Sequence, residues 1–191
     1  MESVRILLAV ITLIIFTPPC LSQTKEGNFM VGGSLSYGKN AYSYDHFHGY
    51  GFSPSISYFF SDRFAAGFVL PYSFSETTGL SFVYQTIHSY SLGPTLRYYF
   101  SILPRWAIFP HFDYTYGWQT VEQNSDLSGD SGTFQSSSNL FRIGLGSTYF
   151  VTKTVGLEGI FSWQTIYGAS ARRGPSVNFG LAFQIYFARK N

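Results

Sequence analysis

The sequence predicts an all-β chain: an eight-stranded antiparallel up-and-down barrel that crosses a membrane on its strands. Three observations predict it: a recurring two-residue alternation, a composition poor in charge and rich in aromatics, and connections that alternate between short and long. The alternation is plainest at residues 106–119. Trp106, Ile108, Pro110, Phe112, Tyr114, Tyr116 and Trp118 form one row. Ala107, Phe109, His111, Asp113, Thr115, Gly117 and Gln119 form the other, which is mostly small or polar. A period of two is a β-strand with unlike faces. Aromatics near both ends of an apolar row about ten residues long match the girdles of a transmembrane barrel wall. On this reading the apolar row meets lipid and the polar row faces inward.

Composition agrees. Charged residues are 12% of the chain and aromatics 20%, against roughly 25% charged in soluble domains. A net charge of +2 is too small to imply nucleic acid or an acidic substrate.

The longest apolar run, residues 6–16, is shorter than the ~18 residues that make a membrane-spanning helix. Arg5 precedes it, and small residues at Cys20 and Ser22 follow it. This is the pattern of a secretory signal peptide over residues 1–22, cleaved after Ser22. A lipoprotein signal acylated at Cys20 is the alternative, but Pro19 sits where such signals need a small residue. With Cys20 removed, the domain 23–191 has no cysteine, hence neither disulfides nor thiol chemistry.

Eight strands follow. The first, 28–37, turns Phe29, Val31, Leu35 and Tyr37 outward. The second, 50–60, does the same with Tyr50, Phe52, Ile56, Tyr58 and Phe60, against inward Ser53, Ser55 and Ser57. The third, 64–75, presents Phe64, Phe68, Leu70, Tyr72 and Phe74. The fourth, 86–100, presents Tyr90, Leu92, Leu96, Tyr98 and Phe100. The fifth is 106–119. The sixth, 140–150, the seventh, 155–167, and the eighth, 177–187, carry outward rows that include Phe141, Leu157 and Phe179. Pro54, Pro71, Pro94 and Pro110 lie inside strands, where a missing N–H predicts bulges or weakened pairing.

Short turns are expected at 61–63, 101–105 and 151–154. Long polar loops are expected at 38–49, 76–85, 119–139 and 168–176. Outer-membrane barrels keep short turns and both termini in the periplasm and long loops outside. The edges must pair, because an open edge in lipid leaves backbone groups unsatisfied at several kcal/mol each.

Nearly all of the chain after the signal thus resembles the small eight-stranded outer-membrane β-barrel family (the outer membrane protein beta-barrel domain). It is similar to outer membrane protein X and to the transmembrane domain of outer membrane protein A. Phrases such as LGPTLRYYF at 92–100 carry the likeness, and they define no active site. The resemblance implies assembly by the barrel assembly machinery, which reads a terminal aromatic row. Here Phe179, Leu181, Phe183, Ile185 and Phe187 supply the row, but four residues follow Phe187.

Four formal charges fall on inward faces: Arg97, Asp113, Arg142 and Glu158. An eight-stranded barrel is just wide enough for side chains to fill. The four are therefore expected to pair inside a packed polar core, Asp113 with Arg142 and Arg97 with Glu158. His46 and His48 share a face beside Asp45, but two imidazoles without a third ligand make no zinc or copper site. Asp126 and Asp130 lack the alternating acids of a calcium loop, so no metal or cofactor is expected. His88 faces outward near the rim, and Ser89 has the opposite parity, which argues against a histidine–serine pair acting on lipid A. Lys39, Arg172 and Arg173 lie in the outer loops, where they could meet lipopolysaccharide phosphates. The expected protein is a monomeric, non-enzymatic outer-membrane barrel with an envelope or surface-adhesion role. A lipid A-modifying enzyme and a narrow channel are the alternatives.

Overall fold

The computed structural model describes residues 22–42, 45–78, 83–125, 131–168 and 173–189. Ten strand segments make one sheet: β1 (Phe29–Tyr42), β2 (Asp45–Ser61), β3 (Phe64–Val69), β4 (Tyr72–Thr78), β5 (Val83–Tyr98), β6 (Phe100–Leu103), β7 (Trp106–Ser125), β8 (Ser131–Phe150), β9 (Val155–Gly168) and β10 (Arg173–Phe187). β3 with β4, and β5 with β6, each form one wall, so ten segments build eight walls. Every neighbouring pair is antiparallel, and β1 closes on β10 from Phe29↔Phe187 to Leu35↔Leu181. Closure removes the edges that lipid would penalise. The chain is an eight-stranded transmembrane-type barrel.

The prolines act unequally. Pro71 has no N–H, and its wall breaks at Leu70 and Pro71, between β3 and β4. Two bonds hold the break to its neighbours: Leu70 N donates to Pro54 O at 2.9 Å and Ser91 N to Pro71 O at 2.8 Å. At Pro94 the β5–β7 ladder passes from Leu92↔Tyr116 to Thr95↔Asp113, skipping Gly93 and Pro94 without changing register. Pro54 and Pro110 keep their places opposite Gly33 and Leu145.

The short turns lie where expected, the second narrowed to residues 104–105 because β6 runs to Leu103, but strands occupy most of the expected long loops. β1 and β2 stay paired to Tyr42↔Asp45, β4 and β5 to Thr78↔Tyr84, and β7 and β8 to Asn124↔Ser131. Only residues 43–44, 79–82, 126–130 and 169–172 remain between strands, and they lie outside the described residues. The reason is physical. Apolar alternation marks a strand only where one face meets an apolar medium, whereas the backbone ladder needs no such medium. In β7 the outward row changes from Trp118 to Thr120, Glu122 and Asn124, yet the ladder continues. The apolar part, from Trp106 to Trp118, rises roughly 30 Å for a strand tilted about 40°, a bilayer's thickness. Beyond it β7 and β8 stand as a polar ribbon.

The outward face is an apolar belt of exposed side chains, among them Leu35, Phe68, Leu145, Phe161, Phe179 and Leu181. Aromatics pair across strands on it: Trp106 with Tyr149 at 5.0 Å and Tyr50 with Phe74 at 5.0 Å between ring centroids.

Inside, the end carrying the short turns is filled by Met30, Phe59, Tyr99, Phe109, Phe150 and Tyr186, all buried. Tyr99 stacks near Phe109 at 4.9 Å and Phe150 near Tyr186 at 5.3 Å. Room for these rings comes from glycine. Phe109 lies opposite Gly146 in the register, and a Cβ there would collide with its ring. Gly146→Val should therefore displace Phe109 and cost about 1–3 kcal/mol, seen as an earlier urea midpoint for the refolded barrel. An unchanged midpoint would mean that the ring does not depend on that glycine.

Residues 22–28 fold over the same end. A 3-10 turn, Ser22–Thr24, buries Gln23 and Thr24. Arg63 N donates to Thr24 O at 2.7 Å, and Gly27 N to Phe59 O at 2.9 Å. Gly27 is left-handed, with φ of 86°, a conformation that glycine adopts without steric cost.

Candidate functional site

The lumen concentrates the polar chemistry, and Glu158 is its lower centre. On β9, Gly156, Glu158, Ile160 and Ser162 face inward by parity, and Glu158 is 2% exposed. Its carboxylate accepts from Arg97 Nη1 at 2.8 Å and Gln184 Nε2 at 3.3 Å through Oε2. Through Oε1 it accepts from Thr148 Oγ1 at 3.1 Å and the Tyr186 hydroxyl at 3.3 Å. The Tyr99 hydroxyl divides one proton between Oε1, at 3.4 Å, and Met30 Sδ, at 3.3 Å. Arg97 sits on β5 and Glu158 on β9, with β7 and β8 between them in the wall, so this ion pair spans the lumen as a chord. The Arg97 guanidinium also lies 5.3 Å from the centre of the Phe109 ring, a cation–π contact. Charge pair and rings pack together at the turn end.

Above this layer, Asp113 and Arg142 face each other across β7 and β8. Arg142 Nη1 lies 3.3 Å from Asp113 Oδ2. His111 Nδ1 is 3.6 Å from the same oxygen, beyond hydrogen-bonding distance. His111 is 4% exposed, and its Nε2 has no hydrogen-bond partner; buried Thr95 stands opposite Asp113 across β5 and β7.

Above these groups the barrel is hollow. A well of about 630 Å³ lies on the ribbon side, lined by serines that include Ser34, Ser53, Ser73, Ser91, Ser138 and Ser162. This corrects the expectation of a lumen packed throughout. Large side chains fill only the turn end; serine and glycine are too small to meet across an eight-stranded barrel.

The other residues singled out from the sequence lie on the wall or rim. His88 is on the outward face opposite Phe74, with its Nδ1 3.3 Å from the Tyr72 hydroxyl. Ser89 faces the well. His48 Nε2 pairs with Glu76 Oε2 at 3.0 Å across β2 and β4. Lys39 is exposed, opposite His48 on the first ribbon. The side chains of Asp45, His46 and Arg173, together with Cys20, Asp126, Asp130 and Arg172, lie outside the described residues. Among the described residues, no group of three His, Cys, Asp or Glu side chains is placed to hold a metal ion. The sequence reading did not single out His111, Tyr99, Thr148, Gln184 or Tyr186. Their signal was inward parity, which each shares with a charged residue on its own strand or on the strand beside it.

No protein-family model and no curated protein matches this sequence. Solved structures do match. A major outer membrane protein from Thermus thermophilus superposes with a TM-score of 0.57 at 12% identity, over 84% of this chain and 99% of that one. Neisserial surface protein A gives 0.51 at 17% identity, over 84% and 99%. The attachment invasion locus protein of Yersinia pestis gives 0.50 at 14% identity, over 85% and 99%. Identities this low establish shared architecture and nothing finer. The chain has the fold of the small eight-stranded outer-membrane β-barrels.

Proposed function

We propose that the protein is an integral outer-membrane barrel with a closed lumen. Its role is non-enzymatic: structural in the envelope, with ribbons displayed at the surface. The observation that carries this reading is the double closure of the turn end, by the Arg97–Glu158 chord within its aromatic layer and by residues 23–28 over it. An apolar belt of bilayer height supports the location. The turn end is periplasmic and the ribbons are extracellular, following the usual asymmetry of such barrels. Residues 1–22 act as the export signal, and the outward row ending at Phe187 engages the assembly machinery. Lys39 on the first ribbon, with Arg172 and Arg173, supplies cations for lipopolysaccharide phosphates. The barrel is a monomer.

Against the enzyme alternative, His88 bonds a tyrosine among aromatic rings while Ser89 points to the other side of the wall. Lipid A extracted from cells with and without the protein should give identical mass spectra. Against the channel alternative, the purified barrel in planar bilayers should show no steady conductance. The protein should fractionate with outer membranes and migrate differently on gels before and after heating. Recovery as a soluble periplasmic protein, or steady conduction by the wild type, would overturn the reading.

A further inference from the structure

We infer that the serine-lined well is a binding site for a small uncharged polyhydroxylated molecule, of the size of a mono- or disaccharide. The well holds about 630 Å³, within the range of roughly 300–1,000 Å³ usual for small-molecule pockets. Its lining residues lie on the ribbon side of the aromatic layer. Its floor is polar. His111, Thr95, Asp113 and Arg142 line it, so donors and acceptors stand side by side there. A ligand hydroxyl, able to donate and accept, suits such a mixed surface.

The charge pattern selects the ligand class. Arg142 and Asp113 occupy each other at 3.3 Å, so the well presents no uncompensated charge to attract an ion. The wall serines are both donors and acceptors, suited to hydroxyls rather than to an anion or a cation alone. Between them, Leu140 and Ile166 pair across β8 and β9 and line the same space, with Ile87 on β5. A sugar has the matching surface: hydroxyl edges and apolar C–H faces.

The inference needs a sealed floor but no particular envelope role, and its test reads binding alone, so the two readings can fail separately. The probe is sucrose, titrated against the refolded barrel in a zwitterionic, sugar-free detergent and followed by saturation-transfer NMR. Sodium glutamate and methyl phosphate are the comparisons. Wild type and Ser138→Thr should give a saturable sucrose signal in the millimolar range. Ser138→Trp, which fills the well beside Leu140, should weaken it by about tenfold or more while keeping heat-modifiable migration. If Ser138→Trp does not fold, Ser36→Trp on another wall of the well serves the same purpose. Saturation by glutamate or methyl phosphate but not sucrose would overturn the ligand class. Absence of a saturable sucrose signal, or one unchanged in a folded tryptophan variant, would overturn the site.

Discussion

Arg97→Met is expected to destabilise the barrel by about 3–5 kcal/mol, because it leaves the Glu158 carboxylate buried without its cation. The remaining donors, Thr148, Gln184, Tyr99 and Tyr186, are neutral and only partly replace a guanidinium at 2.8 Å. The double variant Arg97→Met with Glu158→Met should recover part of the loss, since no charge is then stranded. Asp113→Ala alone and with Arg142→Ala should follow the same pattern more weakly, because Arg142 is partly exposed to the well. Urea unfolding of the refolded protein in lipid vesicles measures all of these. Strictly additive losses at Arg97 and Glu158 would show that the chord is not an energetic unit, and would remove the main support for a sealed lumen.

Leu145→Arg is the second large effect, at about 2–4 kcal/mol for an arginine on the lipid face near the bilayer midplane. Leu145 is 65% exposed on the outer surface, between Pro110 on β7 and Phe161 on β9. It stands four residues from each of Tyr149 and Phe141, near the middle of the belt. Lipid would have to thin, or the side chain stretch, to hydrate the guanidinium. Ser91→Thr, on the lumen side, adds one methyl group to a hollow region and should leave assembly and unfolding unchanged. If both variants assemble equally well into vesicles, the belt does not face lipid.

Much of the fold was legible in the sequence because lipid imposes a strong pattern. Each wall had to keep one face apolar for its whole height, so Trp106 to Trp118 and Phe179 to Phe187 announced themselves by parity. The ends of those walls were not legible. Past the girdle the selection for apolar residues ceases, and Thr120, Glu122 and Ser136 read as loop while their backbones remain paired. The break at Pro71 is a chemical signal any reader can see; that Pro54 and Pro110 stay within the ladder is not, since it depends on what each faces across the sheet.

The lumen divides the same way. Parity alone turns Arg97, Asp113, Arg142 and Glu158 inward, because side chains alternate along a strand. Which groups meet is a matter of closure and register: Arg97 reaches past two walls to Glu158, and His111 comes beside Asp113 while its far nitrogen is left without a partner. Depth is equally a tertiary property. Large inward rings from different strands and the Tyr99 wall gather at one height and fill it, whereas serines from all round gather at another and leave it open. The sequence by itself determined the faces, since facing is set one residue at a time by the medium. Only the closed barrel decided plug and well, because filling a cross-section depends on the summed volume of side chains brought to one level from strands far apart in the chain.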